Sequence, residues 1–307
     1  MIERPSIIIT SLGRTGTRFF AKMLGETLPD STSLHEPDVF QIIIHGRRRI
    51  RRSLDRIQEQ VGEVGLTNLV IRKALGRWSL IRLSDARIQG ALGTADAVGQ
   101  TLQQRERFVR SQPGVVYVES NAGYYGLIDV LGNVYQHHKV VFLIRDGRDW
   151  VRSKMNWGEM YGKGKLRSVF AHTWPTARKI EGDPYAGRWQ TMSRFERVCW
   201  AWTRLNRYAL EAIPRNPDAR LFRFEDIFRS ERRDDHLAEL VGFVTALPGV
   251  EPVPAEALEG WLDQRIHGSS GDFPAWEGWS PEQRETFIAM CGPLMEELGY
   301  GLDENKV

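Results

Sequence analysis

The chain has 307 residues, 41% of them hydrophobic and 26% charged, with a net charge of +3 and two cysteines. That balance excludes a disordered chain, a disulfide scaffold and a protein that binds nucleic acid over its whole surface. The longest apolar runs are far short of the ~20 residues of a bilayer-spanning helix, and Met1 to Thr10 holds no signal-like stretch, so a soluble, cytoplasmic globular protein is expected.

Eight of the 42 basic residues are Lys and the other 34 are Arg, the cation suited to bidentate recognition of phosphate, sulfate and carboxylate. Ser6-Ile7-Ile8-Ile9-Thr10 reads as a strand buried on both faces. Leu12-Gly13-Arg14-Thr15-Gly16-Thr17-Arg18 follows and opens a helix with Phe19, Phe20, Met23 and Leu24 on one face. Backbone N–H groups at such a helix start attract anions. Gly13 and Gly16 admit a close approach, Thr15 and Thr17 add hydroxyls, and Arg14 adds a fixed charge. No Gly-Lys-Ser/Thr is present, which disfavours an ordinary ATPase or GTPase.

His45-Gly46-Arg47-Arg48-Arg49-Ile50-Arg51-Arg52 is the densest charge cluster. It suits an acidic glycan or a peripheral contact with an anionic membrane, or a solvated helix start balanced by Asp55, Glu59 and Glu63. Residues 45 to 110 read as a helical crossover or insertion without a strand. Val115 to Val118 and Lys139 to Ile144 read as further strands. The second runs into Arg145-Asp146-Gly147-Arg148-Asp149, with Ser153 about two helical turns on, a pair able to hold a second anion apart from the first loop. Residues 156 to 192 read as a long substrate loop whose Trp157, Tyr161, Trp174, Tyr185 and Trp189 either form a platform for a sugar ring or lipid tail or pack the loop down. Capping boxes predict helices from Ser193 and from Ser280, and Arg220 to Phe224 reads as a weaker strand between them. Strands separated by helices predict one α/β domain over 1–307, with a central parallel sheet flanked by helices.

At this point the sequence resembles the sulfotransferases that use 3′-phosphoadenosine 5′-phosphosulfate (PAPS) and release adenosine 3′,5′-bisphosphate (PAP). The Gly13 to Arg18 loop is similar to that family's 5′-phosphosulfate loop, and the Arg145 to Ser153 segment to its 3′-phosphate motif. Phe222-Arg223-Phe224-Glu225-Asp226 resembles its aromatic-Glu-Asp segment, and His267-Gly268-Ser269-Ser270-Gly271 its nucleotide-covering loop. The ending Gly292 to Tyr300 is also similar, whereas residues 45 to 110 are not covered. The resemblance implies a P-loop-like sulfotransferase architecture and a donor site formed by Arg14, Thr15, Gly16, Thr17, Arg18, Arg145, Ser153, Phe224, His267 and Gly268. Phe19 either borders the adenine or belongs to the core.

Arg14 stands where the cytosolic phenol and steroid enzymes carry Lys, and no His follows the Val115–Val118 strand. Both features look closer to the carbohydrate and tyrosyl-protein groups. Ile266 stands where an Arg is usual, with Arg265 or His267 as substitutes. In those groups a Glu placed like Glu36, before Pro37, looks catalytic; His35 and Glu119 are rivals for the base. Arg14 would clamp the developing charge, and no metal is required. The expected reaction is sulfuryl transfer to a hydroxyl of a saccharide, glycolipid or secondary metabolite. A nucleotide-dependent small-molecule kinase and a non-catalytic polyanion-binding module are the alternatives; the oligomeric state stays open.

Overall fold

A computed structural model of the chain describes residues 1–37, 79–157, 160–162, 174–264 and 271–301. The basic run 45–52 and the pair His267 and Gly268 lie outside these residues, as does part of the 156–192 segment.

Five strands form one parallel sheet: β1 (Ser6–Ser11), β2 (Ser31–His35), β3 (Val116–Ser120), β4 (His138–Ile144) and β5 (Ala219–Arg223). Their order is β2-β3-β1-β4-β5, so the first strand is central. The period-two alternation of side chains divides each inner strand between two apolar layers. Ile7, Ile9, Val116, Val118, Val141 and Leu143 face one layer. Ile8, Tyr117, Val140, Phe142 and Ile144 face the other. This is why the inner strands read as continuous apolar runs.

Helix α1 (Thr17–Thr27) covers the first layer with Phe19, Phe20, Met23 and Leu24, all buried as the sequence predicts. The second layer receives α2 (Leu80–Ile88), α3 (Thr94–Ser111), α4 (Gly147–Trp157), α5 (Arg194–Ala212) and α8 (Pro281–Glu297). A one-turn helix, α6 (Phe224–Phe228), follows β5 directly, and α7 (Arg233–Thr245) packs on the first layer beside α1. Both expected capping boxes form, at Ser193 with Glu196 and at Ser280 with Gln283. Gly299 ends α8 at φ 73°, a conformation open to glycine.

Two sequence expectations are corrected. Ser31–His35 is a strand that periodicity misses, because it lies at the sheet edge and buries only Leu34. Val115 lies before β3 and is 51% exposed. Within 45–110, the described part carries α2 and α3 and no strand. No helix among the described residues is long and apolar enough to cross a membrane.

Candidate anion-binding and active site

From β1 the chain moves to one side of the sheet, to β2 and β3, and from β4 to the other, to β5. Ligands of open α/β sheets bind beyond the carboxyl ends of strands at such a switch point. Ser11, the last residue of β1, is in register with Leu143 of β4. The loop after β1 therefore lies beside the turn after β4, and the two candidate anion motifs meet.

The loop is shaped by three successive devices. Gly13 and Arg14 both take left-handed φ, 74° and 64°, and Gly16 caps α1 at φ 79°. The Ser11 hydroxyl accepts from the Gly13 N–H at 2.9 Å and from the Thr15 hydroxyl at 2.6 Å, so Thr15 spends its hydroxyl on loop shape. A Cβ at Gly16 would stand 3.1 Å from the Phe228 ring, closer than packing allows without a shift. Thr17 is buried at the helix start, and its carbonyl accepts from the Ser120 hydroxyl at 2.7 Å. Arg18 is half-buried one residue on.

Arg14 Nε donates to Ser153 Oγ at 2.9 Å, and Arg145 Nη1 donates to the Arg14 carbonyl at 2.9 Å. Arg14, Arg145 and Ser153 thus lie side by side along one basic rim. Burial and the neighbouring Arg145 charge hold the Arg14 pKa below its ordinary value. It remains a cation at neutral pH, and an anion between the two guanidinium groups would relieve their repulsion.

A third guanidinium, not anticipated from the sequence, joins them. Asp149 Oδ2 accepts from Arg145 Nη2 at 3.2 Å and from Arg229 Nη2 at 2.5 Å. Burial would raise the Asp149 pKa, but the two arginines outweigh it and hold it low. Phe224 lies beside both cations, its ring centroid 4.7 Å from Arg145 Cζ and 5.9 Å from Arg229 Cζ. Arg229 comes 84 residues after Arg145 in sequence; the pairing of Ile144 with Arg223 brings them together.

The turn that aims Arg145 is rigid. Trp202 Nε1 donates to the Arg145 carbonyl at 3.1 Å, and Glu225 accepts from the Asp146 N–H at 3.1 Å and from Tyr300 at 2.8 Å. Burial pushes the Glu225 carboxyl up. Arg148 forks onto Asp146, with Nη2 to Oδ2 at 2.6 Å, and its Cζ lies 5.9 Å from the Trp276 ring centroid.

One of the base candidates is set apart by its surroundings. Glu119 is fully buried and accepts five hydrogen bonds: Arg105 at 2.9 and 2.7 Å, Tyr117 at 2.6 Å, Tyr124 at 2.9 Å and Asn121 at 2.8 Å. Its lone pairs are taken, so it is a structural anchor and not a base. Phe19 is core, edge-on to Phe20, Phe228 and Trp261. Glu36 follows β2 at the carboxyl end of the strand, with φ 46°, and is half-buried. Its N–H donates to the Ser120 carbonyl at 2.9 Å, and His35 Nδ1 donates to the same carbonyl at 3.1 Å. Ser120 therefore ties the Glu36 turn to the first turn of α1. One strand, β3, lies between β2 and β1, which sets their carboxyl ends about 10 Å apart.

The long-loop aromatics pack against one another and against neighbouring rings. Trp189 is buried edge-on to Tyr161 at 5.4 Å and to Trp200 at 4.8 Å, which packs that part down. Trp157 and Trp174 pair edge-on at 5.9 Å beside α4. Among the described residues no group of three or more His, Cys, Asp or Glu is placed to hold a metal ion.

A buried acid stands apart from this rim. Asp85 of α2 accepts from the Tyr125 hydroxyl, and burial pushes its pKa up to about 8 against the opposing Tyr125 bond and Lys179 charge. The folded chain then keeps a proton that the unfolded chain releases. Stability should fall as pH rises from about 4 to about 8, by at most about 1.4 kcal/mol per pH unit. Melting temperatures across that range should show a shallower fall in Asp85→Asn; an equal slope would refute the assignment.

The fold and rim define an α/β protein with a cluster of arginines at the sheet's topological switch point. No family model matches the sequence, and no curated protein matches it either. Among solved structures, the sulfotransferase domain from the curacin biosynthetic pathway is 13% identical with a TM-score of 0.42, covering 99% of each chain. A sulfotransferase from Alicyclobacillus acidocaldarius is 14% identical with a TM-score of 0.43, covering 98% of each. The sulfotransferase domain of the Synechococcus PCC 7002 olefin synthase is 13% identical with a TM-score of 0.39, covering 98% of this chain and 97% of its own.

Proposed function

We propose that the chain is a PAPS-dependent sulfotransferase acting on a hydroxyl of a saccharide, glycolipid or secondary metabolite. The observation that carries this reading is the convergence of Arg14, Arg145 and Ser153 at the ends of β1 and β4. Two linked anionic groups need such a continuous basic rim, and the motif resemblance names a donor that has them. The loop fits as well: Gly13 and Gly16 take the left-handed φ that turns the chain from β1 into the start of α1, where free N–H groups attract an anion.

Bound PAPS supplies the sulfuryl group. In this reading the loop from Thr15 to Arg18 and Arg14 hold its 5′ end. Arg145 and Ser153 hold the 3′-phosphate, with Arg229 released from Asp149 as a further donor, and the Phe224 face borders the base. The acceptor oxygen forms a bond to sulfur as the bond from sulfur to the 5′-phosphate oxygen breaks. Glu36 takes the hydroxyl proton, and Arg14 holds the charge that develops on the leaving phosphate. Arg14 itself donates no proton, since a guanidinium stays charged.

Arg145→Ala removes the group that bonds the loop and faces Phe224. Titration calorimetry should show PAP affinity falling by about 10²-fold or more, as for loss of a charge-assisted pair worth about 3 kcal/mol. Unchanged PAP affinity in this variant would remove Arg145 from the site.

A further inference from the structure

Lys154 follows Ser153 on α4 and is 3% exposed. Its ammonium lies among three tryptophan rings: Nζ is 5.0 Å from the Trp150 centroid, 5.0 Å from Trp157 and 5.3 Å from Trp174. A Cβ on Gly13 would stand 3.5 Å from that Nζ. The ammonium thus faces the backbone of the anion loop. Trp150 also fixes the loop directly, its Nε1 donating to the Gly13 carbonyl at 3.0 Å. From below, Arg194 clamps the end of α4, donating to the carbonyls of Lys154 at 2.8 Å, Met155 at 3.1 Å and Met160 at 2.9 Å. Two adjacent residues therefore address the same loop, Ser153 through Arg14 and Lys154 across Gly13.

Ring faces attract a cation through their quadrupole. Three of them hold a positive charge at a defined place. Sulfuryl transfer spreads negative charge over the non-bridging oxygens as well as the leaving oxygen, and fixed charges aimed at those oxygens are the effective ones. Arg14 serves the leaving side. We propose that Lys154 is a second catalytic cation, its ammonium contacting the non-bridging oxygens of the transferred sulfuryl group. This rests on the PAPS reading above.

The test compares PAPS with PAP, which lacks that group. Lys154→Met refills the box with an unbranched, polarisable side chain that packs well on aromatic rings. Calorimetry with each nucleotide should show PAP affinity within threefold of wild type and PAPS affinity at least tenfold weaker. Equal shifts for both nucleotides, or none, would overturn the assignment while leaving the PAPS reading intact. Wild-type protein that binds neither nucleotide would overturn both. Lys154→Gln, neutral and of similar length, carries the same two expectations should the Met variant fail to fold.

Discussion

Glu36→Gln should lower kcat for sulfuryl transfer by about 10²–10⁴-fold, the usual contribution of a positioned general base, with PAP affinity unchanged. The substitution is isosteric, so the half-buried Glu36 turn should persist at φ 46° with its N–H on the Ser120 carbonyl. What it removes is the ability to take a proton. Its effect should fall on the chemical step, because Glu36 follows β2 and the guanidinium rim lies at the ends of β1 and β4. A fully active variant would eliminate Glu36. His35, tethered to the same carbonyl through Nδ1, would then be the base to examine, by way of His35→Gln.

The second large effect concerns stability. Arg105→Ala should destabilise the fold by about 3–5 kcal/mol, since it strands a buried carboxylate. Arg105 meets Glu119 through two nitrogens at 2.9 and 2.7 Å with both side chains almost wholly buried. Tyr117, Tyr124 and Asn121 would still donate to Glu119, but its ion pair with Arg105 would be gone. Thermal melting should fall by roughly 5–10 °C at neutral pH. Adding Glu119→Gln should recover part of the loss, because the stranded charge is then gone. A single variant within about 1 kcal/mol of wild type would contradict this account of the network.

Much of the architecture was readable because local and global signals agree. Ile7 to Ile9 and Val140 to Ile144 are inner strands with apolar neighbours on both faces, so their pattern is unambiguous. The capping boxes at Ser193 and Ser280 are set by residues three apart and form as written. Arg14 and Arg145 were legible as strand-end cations, each read from a strand-turn-helix segment. The edge strand β2 was not, since one apolar residue in five gives no period.

Partners set by tertiary adjacency were also hidden. Arg229 reaches Asp149 only because β5 lies beside β4. The fixing of Glu119 by Arg105 requires α3 to lie over the Tyr117 face of β3. For Lys154 a signal existed: Trp150, Lys154 and Trp157 fall at i, i+4 and i+7 on one helical face. The third ring, Trp174, arrives from outside the helix and could not be inferred from that spacing.

The most direct test is calorimetric titration of the wild-type chain with PAP, with ATP plus Mg²⁺ alongside. The account predicts saturable one-to-one PAP binding that weakens with added sulfate, and little heat from ATP plus Mg²⁺. Binding of ATP with none of PAP would contradict it and point to a kinase. Binding of neither would leave the rim as a site for some other polyanion.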